Sequence, residues 1–354
     1  MIFNKLKIGN LFLKNRIVIS PMCQYSSKNG IPSKWHYKHL LNLSSLGASM
    51  LMMESTAIEK RGKITNSDLC LSNNFQEKKF KKLIKFLKKK NDIKIGLQIS
   101  HSGRKGSSYE PWIKINKPLP KSSSWNTISA SPIKRAKGWP IPKKMTINDI
   151  KNLVKKFLIA ARRARRVGFD CLEIHMAHGY LLHQFFSPIS NKRNDIYGGS
   201  LENRSRLLIE ILRKIRKICP KNRILGARIT GTDHLKKEGI TIADAIYLAK
   251  ELKKVGIDYI SVSSGGILPK TNMKEGQAFR AKIAKKIRLS SKTLITTSGN
   301  ITNHKTAEDL IKKKNIDFIT IARILIKEPS WIYKLSKKQK KKNIIPVQYQ
   351  RIFN

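Results

Sequence analysis

One unit recurs along the chain. A short β-branched or apolar run is followed by a polar turn, then by a longer stretch with helical spacing. Eight such runs read RIVISPM (16–22), SMLMMEST (49–56), KIGLQIS (94–100), DCLEIH (170–175), RILGARI (223–229), DYISVSS (258–264), TLITTS (293–298) and DFITIA (317–322). Near-continuous apolar runs of this length mark strands buried on both faces. Helical spacing fills the intervals 76–90, 147–167, 201–218, 242–255, 276–288 and 304–314. Gly168 and Gly256 follow two of these intervals, where a glycine can close a helix. Eight strands alternating with helices predict an α/β fold, a (β/α)8 TIM barrel over residues 1–334. An open doubly wound sheet is the rival, but no G-x-G-x-x-G follows the first strand. Residues 101–146, rich in Pro, Ser and Trp, predict a long lid excursion after strand 3. Residues 335–354 read as a basic C-terminal tail outside the barrel.

Charge tests that reading. Lys and Arg number 73 against 22 Asp and Glu, a formal net charge of +51. Such an excess invites a nucleic-acid partner. The cations are spread along the whole chain, however, as in EKKFKKLIKFLKKK (77–90), with few aromatics between them. Lys, Ile and Asn are all abundant, a pattern that A/T-biased codons produce without selection for binding. The charges are expected to be solvated helix faces, with no nucleic acid bound. Four cysteines, Cys23, Cys70, Cys171 and Cys219, lie far apart with no C-x-x-C pair. They suit free thiols in a reducing compartment. No run approaches the roughly 18–20 apolar residues of a membrane span. The N-terminus lacks the form of a signal peptide. A soluble, cytoplasmic protein is expected.

In a (β/α)8 barrel the strand C-termini converge on one face, where active sites lie. Chemically capable residues fall at those ends here: Ser20, Cys23 and Tyr25, then Gln98, His101 and Arg104, then His175 and His178, then Arg228. Loops after the last two strands of such barrels commonly hold a phosphate. Gly299, which lets backbone N–H groups approach an anion, and Arg323, a planar fork, stand in those loops. Taken from EIHMAHGY alone, His175 and His178 suit metal ligation, acid–base work, anion binding or core packing. No metal is expected, because only Cys171 lies near them.

The same residues resemble a known family. The motifs NRIVISPMCQYSS, GKITNSDL, LQISHSGRK, FDCLEIHMAHGYLLHQFFSPISNKRNDIYGGSLENRSRLL, SVSSGG and PVQYQR are similar to those of the Old Yellow Enzyme family. The likeness is closest to the bacterial thermophilic-like subclass, known as NADPH dehydrogenases, and covers residues 2–353. It implies a non-covalent FMN held by Ser20, Pro21, Met22, Cys23, Ala57, Gln98 and Arg228, with Ala322 and Arg323 at its phosphate. It implies substrate contacts from Tyr25, His175 and His178, with Tyr180 as proton donor. It implies Arg351 reaching into a neighbouring subunit's site, hence a homo-oligomer, dimer or tetramer. The implied activity is hydride transfer from NAD(P)H, NADPH preferred over NADH, through the flavin to electron-poor alkenes such as enones, or to nitro compounds or quinones. Cys23 would adjust potential through its S–H and would not act as a nucleophile.

The chain departs from the family at Ala322, which replaces a glycine and is expected to crowd the phosphate. It also departs at His234, which replaces a tryptophan, and in DLCLSN. Two other readings stand beside this one: an RNA-acting flavoenzyme of the tRNA-dihydrouridine synthase type, and a non-catalytic flavin-binding protein. Against the first, no RNA-docking helical domain is evident, and Cys23 follows strand one instead of lying in a lid. His183 acquires no role from the resemblance and is expected to be structural.

Overall fold

A computed structural model describes residues 1–235, 238–269, 273 and 275–353. Its centre is a closed barrel of eight parallel strands. They are β1 (Ile17–Ile19), β2 (Met50–Ala57), β3 (Lys94–Ser100), β4 (Cys171–Met176), β5 (Ile224–Thr230), β6 (Tyr259–Ser263), β7 (Ile295–Thr297) and β8 (Phe318–Ile321). Each strand pairs with the next in sequence, and β8 returns to β1. All eight expected runs form strands. Their ends differ from expectation by up to three residues, because the flanking polar residues belong to the loops.

Helices α1 (Lys34–Ser44), α2 (Asn74–Lys90) and α3 (Ile147–Val167) follow β1, β2 and the lid. After β4 come the short α4 (Leu181–Phe186) and then α5 (Leu201–Ile218). The remaining helices are α6 (Ile242–Val255), α7 (Ala281–Ser291), α8 (His304–Lys313), α9 (Arg323–Lys327) and α10 (Trp331–Lys338). Local chemistry explains their bounds. In α3, Thr146 and Asp149 cap the first turn reciprocally, Gly168 at φ 99° ends the last, and Ile150, Leu153, Val154 and Phe157 form the buried stripe. Thr241, Asp244 and Gly256 (φ 84°) repeat the device in α6.

Several elements lie outside the expected set, the short α4 and α9 among them; three of these, an N-terminal hairpin, α1 and α10, bear on the barrel. The hairpin Leu6–Ile8 with Leu11–Leu13 packs Leu6, Ile8 and Leu13 against Val18, Met50, Cys171, Ile224, Tyr259 and Phe318. Those partners begin the strands, so the hairpin seals the N-terminal end of the barrel. Helix α1 is the second element and α10 the third. Helix α10 runs across residue 334, with Leu335 fully buried. The interval 276–288 also begins its helix late, at Ala281, because Ala278 takes φ 51° and breaks the helical backbone. Phe279 and Arg280 are thereby left in the loop above the mouth. Among the described residues no helix is long and apolar enough to cross a membrane.

Candidate active site

The C-terminal mouth opens into a cavity of about 290 Å³. Ser20, Pro21, Met22, Arg228, Ala322 and Arg323, all expected at the cofactor, line it together with Ser298, Gly299 and Arg280. Arg228 projects from β5 with its Nε buried and unpaired among the described residues; its Nη2 lies 3.5 Å from Ser298 Oγ. Gly299 sits at φ 136°, a conformation that favours glycine. A Cβ there would also stand 3.0 Å from the Phe279 ring. Glu275 is the one carboxylate among the lining residues, against three guanidinium groups. A cradle with an orphaned buried guanidinium and a surplus of positive charge fits an anionic, hydrogen-bonding cofactor. The residues present fit FMN: Arg323 and Gly299 are those expected at its phosphate, and Arg228 is the one expected at its pyrimidine. Ala322 lies at φ −140°, outside the left-handed region that would call for glycine.

Beside this cavity stand the histidines. Parallel pairing sets His175 on β4 opposite Arg228 on β5. His175 Nδ1 accepts the Ala177 N–H at 3.2 Å, which leaves the ring proton on Nε2. That nitrogen lies 3.1 Å from His178 Nδ1, and His178 Nε2 contacts Ser263 Oγ. The rings therefore form a relay in which His175 donates to His178 and His178 donates to Ser263. Burial, followed by the charge of Arg228, holds both imidazoles well below their usual pKa. Each is neutral at pH 7 and carries one N–H.

Tyr180 caps α4, with its ring 4.5 Å from that of His175. Burial pushes its phenol well above the usual range, so it keeps its proton. Lys105 Nζ donates to the His178 carbonyl at 2.7 Å and lies 5.2 Å from the Tyr180 ring centre. Desolvation, with Arg135 and Arg104 nearby, lowers the lysine to about 7. The turn bearing His178 and Tyr180 depends on Gly179 (φ 73°), whose Cβ would meet the Gly266 carbonyl at 2.1 Å. The HGY and SSGG segments touch there. His183, fully buried, accepts the Gly179 N–H on Nδ1 at 2.7 Å and stands 3.1 Å from Asp233, so it fixes this turn.

Tyr25 and Cys23 come from the loop after β1. The register slips between Met53 and Ser55, and the extra residue, Glu54, accepts from the Gln24 N–H at 2.9 Å and pairs with His36 at 3.0 Å. A bulge in β2 thus holds the loop of β1. Burial, then Glu54, pushes the Cys23 thiol well up, consistent with a protonated S–H. Trp112 of the lid meets Tyr25 edge-on at 5.8 Å, so the lid reaches this corner. Ala57 is buried at the end of β2 and bonded to Leu69. Arg351 is exposed in a 3-10 turn, Val347–Ile352. Tyr349 and Phe353 on either side pack against Tyr333.

Sequence reasoning missed Glu173 and Arg280. Gln98 on β3 lies opposite Glu173 on β4 and donates Nε2 to its Oε1 at 2.6 Å. Tyr259 donates to the other oxygen at 2.9 Å. Gln98 therefore has its amide orientation set by Glu173. The E before the first histidine in EIH was a signal: a carboxylate inside a β run must be paired. Arg280 gave no signal, since it lay in a segment read as helix.

These features define a class: a (β/α)8 barrel with an arginine-lined corner after β7 and β8 and a neutral histidine pair at its mouth. Comparison with known proteins makes this specific. The model of the NADH:flavin oxidoreductase / NADH oxidase family matches residues 1–342. An NADPH dehydrogenase of a Geobacillus species is 34% identical over 353 residues, 99% of this chain and 98% of its own. The NADPH dehydrogenase of Bacillus subtilis is 34% identical over 99% of this chain and 98% of its own. An NADH:flavin oxidoreductase of Gibberella zeae is 37% identical over 94% of this chain and 84% of its own. Among solved structures, morphinone reductase superposes with a TM-score of 0.76 at 22% identity, covering 96% of this chain and 91% of its own. A 2-naphthoyl-CoA reductase superposes at 0.84 with 24% identity; this chain covers 97% of itself but about half, 53%, of that longer protein. At such identities the structures speak for the fold. The chain belongs to the NADH:flavin oxidoreductase / NADH oxidase family, the Old Yellow Enzyme family, and is an FMN-dependent NAD(P)H oxidoreductase.

Proposed function

We propose that the protein reduces carbon–carbon double bonds activated by a neighbouring carbonyl or nitro group. The observation that carries this reading is the junction of His175, His178 and Tyr180 beside the arginine-lined cavity. When bound, FMN supplies hydride taken from NAD(P)H. The protein's part is to hold and protonate the substrate. Addition of hydride β to a carbonyl drives negative charge onto its oxygen. Neutral N–H donors aimed at that oxygen stabilise the transition state more than the ground state. His175 Nε2–H leaves His178, and His178 Nε2–H leaves Ser263, to serve it. Tyr180 O–H delivers the proton to the α carbon from the opposite face. Lys105, close to neutral pKa beside that ring, lends no competing base below pH 7.

NADPH is the preferred reductant, a reading supported by the names of the bacterial relatives. The cytoplasm is the expected compartment. The assembly is a homo-oligomer in which Arg351 of one subunit completes the mouth of the next. Mixing Arg351→Ala with His175→Ala subunits should restore activity in hybrids, each with one complete site. For the main reading, the purified protein is scanned for flavin absorbance, reduced anaerobically with NADPH and mixed with 2-cyclohexenone. Reoxidation with formation of cyclohexanone is expected. A flavoprotein that NADPH reduces but no enone, nitroalkene or quinone reoxidises would overturn it.

A further inference from the structure

We propose that Arg280 is a second guanidinium clamp on the flavin's phosphate, and that it makes the cavity select FMN over unphosphorylated riboflavin. The inference rests on the flavin reading above but concerns a residue outside the set that the resemblance supplied. The geometry begins with Ala278. Its left-handed backbone (φ 51°) stops α7 from starting early and lets Phe279 and Arg280 turn over the mouth. The guanidinium stacks on its neighbour's ring, 4.2 Å from the Phe279 centroid. Its Nε donates to Ser264 Oγ at 2.9 Å. These two contacts fix the plane of the group and use one of its five N–H donors. The Nη1 and Nη2 donors have no partner among the described residues. Nη1 lies 3.4 Å from the point where a Cβ on Gly299 would stand. The fork therefore faces the glycine corner, in the cavity that Arg323 also lines.

Charge points the same way. Burial first, then Arg228 and Arg323, lowers Arg280 to about 10. Three like charges share one cavity, with Glu275 as the sole carboxylate in its lining. A phosphate monoester, carrying about two negative charges at pH 7, relieves that repulsion, and a fork fits its oxygens in bidentate fashion. The neutral ribityl end of riboflavin cannot do either. Such a ligand phosphate could also belong to a pyridine nucleotide. The site next to Gly299, in the loops after β7 and β8, favours the flavin.

The test titrates the full-length protein, dialysed free of flavin, with FMN and with riboflavin, reading flavin fluorescence. Arg280→Gln should weaken FMN binding about 10- to 100-fold, the range for a lost charge-assisted contact. Riboflavin binding should change less than about twofold, which also reports that the barrel is folded. Arg280→Lys, which keeps the charge and loses the fork, should fall between. Equal losses for both flavins, or unchanged FMN affinity, would overturn the proposal. So would a variant with normal FMN affinity in which flavin reduction by NADPH, but not by NADH, is slowed. That result would assign Arg280 to the nucleotide. If the wild-type protein bound neither flavin, the cofactor reading itself would fail, which the variants alone cannot produce.

Discussion

His178 occupies a backbone conformation, φ 57°, that few residues other than glycine adopt. Asparagine, with histidine, is among the side chains that tolerate it best, and it too offers an N–H donor. His178→Asn should therefore keep the turn and bind a phenolate within about tenfold of wild type. His178→Ala loses a donor worth about 3–4 kcal/mol, about 10²- to 10³-fold in affinity. Titration of the phenol charge-transfer band with the flavin reads both. Because burial keeps both histidines neutral, this affinity should follow the phenol's own ionisation between pH 6 and 8, with no added histidine step. Equal weakening by Asn and Ala would show that the ring itself is required. Lys105 supplies a second test. Its pKa falls from 10.5 to about 7 in the fold, so between those values the unfolded chain holds the proton that the folded one has lost. Stability from this group then rises with pH from about 7 to 10.5. Urea midpoints of wild type relative to Lys105→Met should climb across that window, and a flat difference would refute the assignment.

At the scale of elements, one buried side chain ties the lid to the loop after β6. Arg104, 2% exposed, donates Nη1 to the Ile133 carbonyl at 3.1 Å and Nη2 to that of Ile267 at 3.0 Å. Arg104→Met leaves both carbonyls without that donor and should cost about 2–4 kcal/mol. Proteolysis of the exposed stretch around Trp112 should quicken, since the lid base is freed. Unchanged cleavage and an unchanged urea midpoint would show that the lid is held elsewhere. Contacts of this kind also explain what could be read in advance. The barrel strands were legible because both faces are buried, so apolar runs declare themselves. Helices α3 and α6 were legible to their ends because Thr caps and left-handed glycines are local signals. Arg193 shows the limit. It lies in the long fourth-strand motif, yet its Nη1 bonds the carbonyls of Ala130 and Met145, tying the far end of the lid to the loop after α4. A motif can thus be specific because it builds a scaffold, and nothing in its letters separates that from chemistry. Arg280 and the bulge at Glu54 were hidden for a related reason: each acts on a residue distant in sequence.

For the molecule as a whole, the governing fact is that carboxylates are scarce. With 22 acids against 73 basic residues, several acids each brace two or more cations. Glu77 joins Arg163 and Arg166, tying α2 to α3; Asp170 joins Lys88 and Arg223; Glu59 joins Arg61, Lys156 and His101. Added salt has two opposed effects on such a surface. It screens these pairs, which weakens the fold, and it screens the mutual repulsion of some fifty uncompensated charges, which strengthens it. The pairs are short-range and partly buried, and screening touches them little. The repulsion is long-range and exposed, and it collapses as the Debye length falls from about 30 Å at 0.01 M to about 10 Å at 0.1 M. Repulsion should win. With FMN saturating, so that the cofactor site is not also filling, the melting temperature should rise as sodium chloride goes from 0.01 to 0.3 M. Most of the rise should fall below 0.1 M. Glu77→Gln should lower the curve at every salt concentration without changing its slope. A melting temperature that falls with salt would mean that the ion pairs dominate, and that the surface charge is arranged, not merely abundant.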